Sequence, residues 1–189
     1  MDNLFVYGNV TMPKSVAIFN LPPLKTCTPS PWCQENCYGL KRRFIWHSVK
    51  KSLAWRYEES KKADFINKAT NEIKKFRVPF VRIHITGDFY NKEYIDKWAT
   101  IARACPGIIF RTNTKRQDFL PYMVKIFPEN IVLRESIDES RNELGLTPVA
   151  AIVGTPRTSQ FFICCNNCEP CGFYCWKNPE INIVGAKIL

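Results

Sequence analysis

Four cysteines near the end of the chain constrain this sequence more than any other feature. Cys165, Cys168, Cys171 and Cys175 follow the spacing C-x2-C-x2-C-x3-C, which is also that of the bacterial ferredoxin run. Thiolates packed this densely are soft ligands that suit iron–sulfur clusters, zinc or Cu(I). The sequence therefore predicts a bound metal, and the fold has to bring these side chains together.

A second group, Cys27, Cys33 and Cys37, lies near the start of the chain. In ferredoxins the last cysteine of the run serves another cluster, so we expect this N-terminal group to supply partners for the C-terminal one. These thiolates suffice for one or two 4Fe–4S clusters, or for one cluster and one zinc ion. We favour iron–sulfur over zinc; the pairing of cysteines with metals, including the choice between Cys164 and Cys165, stays open.

The cellular compartment follows from what the sequence lacks. The start, Met1-Asp2-Asn3-Leu4, has neither the basic residues nor the apolar stretch of a signal peptide. No apolar run approaches the roughly 18 residues that cross a bilayer. We therefore expect a cytoplasmic protein without a membrane partner. Its nine cysteines are expected to be reduced, with seven of them serving as metal ligands and Cys105 as a small buried side chain, rather than paired in disulfides.

Apolar periodicity predicts alternating strands and helices. Strands are predicted at residues 4–8, 15–20, 80–85, 108–111, 130–135, 147–153 and 161–163. Helices are predicted at residues 41–76, 92–103 and 118–127. This alternation is typical of an α/β fold with a largely parallel sheet.

A partial β/α barrel, like the half barrel of radical S-adenosylmethionine enzymes, fits the pattern best, and an open doubly wound sheet is the alternative. We expect residues 1–189 to form a single α/β domain with cysteine-rich metal-binding segments at 27–37 and 164–176. The radical S-adenosylmethionine motif itself, C-x3-C-x2-C, is absent. Cys33 and Cys37 match its first half, but Leu40 occupies the third position, so no S-adenosylmethionine site is predicted.

Polar residues follow the carboxyl ends of the predicted strands, which is where active and binding sites lie in such folds. They are Asp88, Asn113, Lys115, Ser136 and Asp138. We predict Asp88, Lys115 and Ser136 as catalytic residues: Asp88 would orient or deprotonate a substrate, and Lys115 or Arg116 would neutralise negative charge.

These residues also have structural explanations. Asp88 equally fits a turn that caps the helix near Asn91, and Ser136 and Asp138 fit a turn before Glu139. His84, inside an apolar strand, is predicted to be a hydrogen-bonded core residue.

The net charge of +10 is concentrated in residues 41–77, which hold twelve basic and four acidic residues. Such a segment attracts phosphate backbones, although a solvated helical face explains it as well.

The leading hypothesis is a cysteine-ligated iron–sulfur enzyme with a small-molecule or nucleic-acid-linked substrate. The alternatives are a nucleic-acid-binding protein, stapled by zinc or a cluster and contacting phosphates through Lys41–Arg77, and an interaction protein without chemistry.

Several of these residues recur together in a known family, in the same order. They are Lys25-Thr26-Cys27, Cys33-x3-Cys37-Tyr38, Arg82-x-His84-x-x-Gly87-Asp88-Phe89, Tyr94-Ile95-x-x-Trp98, Ile101-Ala102 and Cys168-x2-Cys171 with Cys175-Trp176. Over roughly residues 15–180 the chain resembles the phage and plasmid gene product 88 domain family. The resemblance implies a mobile-element origin and a shared cysteine-bound centre, and little about the substrate. The chain departs from the family in Arg111–Lys115, where an aromatic-containing segment is expected, and in the three-residue spacing of its last cysteines.

Overall fold

The structure, a computed structural model, describes residues 3–152 and 161–185. Its strands are β1 (Val6–Tyr7), β2 (Val16–Phe19), β3 (Phe80–Ile83), β4 (Ile109–Thr114), β5 (Ile131–Ile137), β6 (Val149–Ile152), β7 (Phe162–Ile163) and β8 (Ile183–Gly185). Its α-helices are α1 (Pro31–Glu35), α2 (His47–Lys61), α3 (Phe65–Phe76), α4 (Lys92–Arg103), α5 (Leu120–Ile126) and α6 (Tyr174–Lys177). Two short 3-10 turns, Tyr38–Leu40 and Arg42–Ile45, link α1 to α2.

The strands form one open sheet in the order β1-β2-β3-β4-β5-β6-β8-β7. Only β1 runs antiparallel to its neighbour. Strands β2 to β6 lie side by side in chain order, without the reversal of strand order that defines a doubly wound sheet. The prediction of an α/β fold with a largely parallel sheet is confirmed, and the doubly wound alternative is wrong.

The two faces of the sheet are covered differently. Helices α3, α4 and α5 pack on one face, where Phe65, Trp98 and Met123 join Phe19 and Phe110 in the main core. The opposite face holds a smaller core. Its members include Val16, Ile18, Phe80, Phe173 and Trp176, so the C-terminal cysteine segment (residues 164–176) lies over this face.

The predicted helix over residues 41–76 is two helices, since α2 begins at His47 and the chain breaks between Lys61 and Phe65. The break is stabilised by Lys97 of α4, whose buried ammonium donates to the carbonyls of Ser60, Lys61 and Lys62 at 3.2, 3.0 and 3.2 Å. A cation at the carboxyl end of a helix satisfies carbonyls that have no partner within the helix. A contact from a distant helix therefore decided where α2 ends.

The remaining predicted elements lie within a few residues of the observed ones. The sequence missed α6 and β8, and it ended β4 three residues early. Val153, the last residue of one predicted strand, lies outside the described residues. None of the helices among residues 3–152 and 161–185 is long and apolar enough to span a membrane.

His84 is the buried, hydrogen-bonded core residue that the sequence predicts. It is 2% exposed, and its Nε2 lies 2.8 Å from the Tyr94 hydroxyl. Burial, with a smaller contribution from the charge of Arg82, lowers the pKa of His84 to about 3. The imidazole is therefore neutral in the folded protein over a wide range of acid pH.

This neutral imidazole predicts a loss of stability in acid. The unfolded chain takes up a proton at His84 near pH 6.5, whereas the folded chain does not. The free energy of unfolding should therefore fall by up to about 1.4 kcal/mol per pH unit from about pH 6.5 towards pH 3. We expect His84→Asn to flatten this slope in urea unfolding experiments. Asparagine suits the left-handed backbone at φ 59°.

The only other histidine of the chain, His47, provides the matched control because it is exposed. His47→Asn should leave the dependence of stability on pH as in the wild type. Equal slopes for the wild type and His84→Asn would contradict the assignment of the acid sensitivity to His84.

Candidate metal centre

The N-terminal cysteine group (Cys27, Cys33 and Cys37) lies beyond the carboxyl end of β2. The short helix α1 carries Cys33 and begins with Pro31 after the cap Ser30, whose hydroxyl accepts a hydrogen bond from the Cys33 amide at 3.1 Å. Cys37 lies beyond the end of this helix, so α1 carries only one of the three thiols.

Cys27 is positioned by the turn after β3. Gly87 has φ 78°, and a Cβ added there would lie 2.5 Å from the Leu21 Cβ and 2.7 Å from the Thr26 hydroxyl. Only glycine allows the two loops to come this close. The Thr26 hydroxyl also accepts a hydrogen bond from the Asp88 amide at 3.3 Å. The Gly87-Asp88 turn thus fixes the segment that carries Cys27.

The three thiols are close enough to influence one another. Burial, followed by the charge of Asp88, raises the pKa of Cys27 to about 12, and Cys33 and Cys37 contribute further. Burial also raises the pKa of Cys33, although the ammonium of Lys115 opposes the shift. The three thiols thus lie within electrostatic range of one another, of Asp88 and of Lys115, which are two of the three predicted catalytic residues.

Lys115 belongs to a small polar network at this edge of the sheet. Its ammonium lies 2.5 Å from Oδ2 of Asp138, which also accepts a hydrogen bond from the Ser30 hydroxyl at 2.7 Å. Burial raises the pKa of Asp138, but the hydrogen bonds from Lys115 and Ser30 outweigh it and keep this pKa below its usual range. Through Ser30 the network ties helix α1, and with it Cys33, to the ends of β4 and β5.

Asp88 is buried, with all its hydrogen bonds directed to the protein. Its carboxylate accepts from the Phe89 amide at 2.8 Å, the Thr114 hydroxyl at 2.7 Å and the Lys115 amide at 2.9 Å. Burial raises its pKa and these three bonds oppose the shift. Helix α4 is capped by Asn91 instead, whose side chain accepts from the Tyr94 amide. Asp88 therefore holds the turns after β3 and β4 together, a positioning role.

Ser136 lies apart from this network. Because side chains alternate along a strand, it shares the face of β5 with Arg134, which contacts the C-terminal cysteine segment. None of the hydrogen bonds seen in residues 3–152 and 161–185 joins Ser136 to Asp88 or Lys115. Asp138, two residues further on, lies beside Lys115 where Ser136 was expected. Its Oδ1 also accepts a hydrogen bond from the Ser140 amide and so caps a turn.

A second cysteine group lies on the opposite face of the sheet from the helices. Burial raises the pKa of Cys168 to about 11, while the charge of Arg111 opposes this and the electrostatic influence of Cys175, Cys171 and Cys164 adds to it. Cys165 is exposed, and its thiol donates to the Asn167 carbonyl at 3.1 Å. Cys164 and Cys168 also line one cavity, and Cys165 is not part of its lining.

Buried arginines hold this C-terminal cysteine segment on the sheet. Arg111 of β4 donates from Nη1 to Sγ of Cys175 at 2.7 Å. Arg134 of β5 is fully buried and donates to the carbonyls of Ile181, Cys175 and Asn178 at 3.0, 2.9 and 2.9 Å. The sequence analysis missed these residues, although a charged side chain at the centre of an apolar strand was a readable signal.

The donor groups suit a thiolate-bound metal in their chemistry. All nine cysteines are free thiols. In the part of the chain that the structure describes, however, no three histidine, cysteine, aspartate or glutamate side chains are arranged to hold a metal ion. Neither cysteine group therefore forms a ready site for a single ion within these described residues.

The comparisons with known proteins agree with the resemblance seen in the sequence. The family model described as gene product 88 matches residues 4–156. The match includes the N-terminal cysteine group and ends before Cys164, so it does not extend to the C-terminal motifs of the resemblance. Searches of curated proteins and of solved structures found no match. Since the family model spans most of the chain, the protein belongs to the gene product 88 family.

Proposed function

We propose that this protein is an iron–sulfur enzyme whose cluster is held by Cys27, Cys33 and Cys37. The observation that carries the proposal is the convergence of these thiols at the carboxyl edge of a parallel sheet, beside the Lys115–Asp138 pair. Sites of chemistry gather at this edge in α/β folds. Thiolates are the protein ligands that iron–sulfur clusters use.

The number of these thiols supports a cluster over a structural zinc ion. A structural zinc site closes around four protein ligands, whereas this group has three thiols and would leave one iron of a four-iron cluster open to a substrate. Zinc remains the alternative cofactor, since catalytic zinc also takes three protein ligands.

When bound, a cluster with an open iron would supply a Lewis acid for a substrate oxygen or nitrogen, or a one-electron redox centre. The chain's own residues would bind and orient the substrate. Lys115, whose side chain is 17% exposed, would neutralise negative charge on the substrate. Asp138 would hold that ammonium in place, and Asp88 would keep the cysteine-bearing loop and the start of the Lys115 segment in register.

The C-terminal cysteine group is the second part of the proposal. Cys168, Cys171 and Cys175, with Cys164 or Cys165, would hold a second cluster or a structural zinc that fastens this segment to the sheet. The two cysteine-rich segments would then flank a partial β/α barrel. The sequential order of β2 to β6, with the helices on one face, supports this arrangement.

Purification under strictly anaerobic conditions, followed by iron, sulfide and zinc analysis, tests the proposal. We expect brown protein with about four iron and four sulfide per chain, or about eight if both groups are filled. Colourless protein that holds stoichiometric zinc after this treatment would contradict it.

We propose nucleic-acid binding as a second candidate function, favoured by one exposed surface. Trp46 is 64% exposed and is surrounded in the chain by exposed basic residues. They are Lys41, Arg42, Arg43, Lys50 and Lys51. None of them takes part in an ion pair seen in residues 3–152 and 161–185. An exposed aromatic ring among unpaired cations suits base stacking together with phosphate contacts.

Two lysines further along the basic segment are paired with glutamates and offer a matched control. Lys61 pairs with Glu58, and Lys62 pairs with Glu59. Double reversal of Lys50 and Lys51 to glutamate should weaken single-stranded DNA or RNA binding at least about tenfold and reduce its salt dependence. Reversal of Lys61 and Lys62 should weaken it much less. Fluorescence anisotropy at several salt concentrations measures both, and equal losses in the two variants would contradict a surface centred on Trp46.

A further inference from the structure

A cavity of about 160 Å³ lies between the sheet and the C-terminal cysteine segment. Arg82 of β3 and Arg111 of β4 line it from the sheet, and Cys164, Cys168 and Trp176 line it from the opposite side. Its volume is several times the roughly 30 Å³ that one water molecule occupies in the liquid. The cavity is therefore large enough for a polyatomic ligand.

Two residues that line this cavity each carry a buried N–H group with no partner among the described residues. Arg111 is 7% exposed and Trp176 is 1% exposed. Within the described residues, Nε of Arg111 and Nε1 of Trp176 make no hydrogen bond. Both nitrogens can only donate. Because buried donors are nearly always satisfied, a ligand that accepts hydrogen bonds is expected here.

The charge of the cavity points in the same direction. Arg82 and Arg111 are paired in register on adjacent strands, so both side chains lie on one face of the sheet. Neither takes part in any ion pair seen in residues 3–152 and 161–185. Burial and the charge of Arg111 lower the pKa of Arg82 to about 9. Two neighbouring guanidinium groups without a carboxylate leave buried positive charge that an anion would compensate.

We propose that this cavity binds a tetrahedral oxyanion, a phosphate or sulfate, free or as the end group of a small molecule. Arg111 would donate to the oxyanion from Nε, and Trp176 from its indole nitrogen. Arg82 would add charge from the neighbouring strand. Guanidinium groups match the oxygens of such anions in geometry and charge. This inference requires no metal and goes beyond the proposed function.

Titration with inorganic phosphate and with sulfate, at constant ionic strength set by chloride, tests the site. We expect saturable binding in calorimetry and a shift of one indole N–H signal in two-dimensional NMR spectra. The chain has five tryptophans, and the signal of Trp176 is identified by its absence in Trp176→Phe. A glycerol phosphate titration then separates the sources of the anion, because tighter binding than inorganic phosphate assigns the site to an end group.

Substitutions locate the binding. Arg111→Gln and Trp176→Phe should each weaken phosphate and sulfate binding at least about tenfold, since each removes a donor to a charged acceptor. Lys125→Gln, which removes the same charge from an exposed position, should leave the affinity unchanged.

Binding that is equal in all three variants, or an indole signal of Trp176 that does not move with phosphate or sulfate, would overturn the proposal. Circular dichroism confirms that each variant is folded. If Arg111→Gln does not fold, Trp176→Phe and the indole signal still decide the outcome. Iron analysis of the same samples is a separate readout, so the oxyanion site and the proposed cluster at Cys27, Cys33 and Cys37 can fail independently.

Discussion

A variant in which serine replaces Cys27, Cys33 and Cys37 is expected to lose about four iron atoms per chain relative to the wild type. The reason is that these three thiols are the only protein ligands that we assign to the cluster at the sheet edge. Serine keeps the size of the side chain and removes the soft ligand. Iron and sulfide analysis, with the visible absorption spectrum, measures the loss after anaerobic purification.

Cys105 provides the matched control for this experiment. Its side chain is buried in the main core and belongs to neither cysteine group. Cys105→Ala should therefore retain the full iron content. An unchanged iron content in the triple N-terminal variant would remove the basis for the proposed active site.

The second large effect is expected at Arg134. This guanidinium is fully buried and donates to four carbonyls of the C-terminal part of the chain, those of Cys175, Asn178, Pro179 and Ile181. Arg134→Met keeps an apolar stem of similar length but leaves these carbonyls without their donor. We expect a loss of about 3 to 5 kcal/mol in the free energy of unfolding, because unpaired buried polar groups cost about 1 to 3 kcal/mol each. Urea unfolding measures the change.

The same substitution should loosen the C-terminal cysteine segment before the rest of the protein unfolds. The Trp176 and Lys177 amides both donate to the Phe173 carbonyl, and their hydrogen exchange reports the opening of α6. In Arg134→Met these amides should exchange much faster than those of α4. The control is Arg43→Met, because Arg43 is an exposed arginine. This substitution should change the free energy of unfolding by less than about 0.5 kcal/mol. A free energy of unfolding of Arg134→Met within about 1 kcal/mol of the wild-type value would contradict this stabilising role of Arg134.

Much of the fold could be predicted from local patterns. The apolar steps of α3 and α4, with Phe65, Ala69, Tyr94 and Trp98 on buried faces, identify these helices because one side of a surface helix has to be apolar. The apolar runs of β3 and β5 identify central parallel strands for a similar reason. What local patterns missed depends on distant contacts. Helix α2 ends where Lys97 of another helix reaches its carbonyls, and no periodicity within residues 41–76 records that contact.

The candidate site was predicted in part. Cysteine spacing identified both groups, and the strand ends identified Lys115. The sequence did not distinguish Ser136 from Asp138, because that distinction depends on whether a side chain lies inside the strand or just beyond its end. It also placed Asp88 among the catalytic residues, whereas its three hydrogen bonds within the protein indicate that it positions the surrounding turns.

The sequence by itself determined that this chain carries two groups of thiols and alternates between strands and helices, since ligand chemistry and apolar periodicity are local properties of residues. Only the tertiary structure decided which cysteines lie together, that Asp138 and Ser30 join Lys115, and that Arg111 and Trp176 face one cavity. These relations join residues up to 108 positions apart, as Ser30 and Asp138 are. These contacts follow from the register of neighbouring strands and from the packing of the C-terminal segment on the sheet. The spacing of residues along the chain encodes neither the register nor the packing.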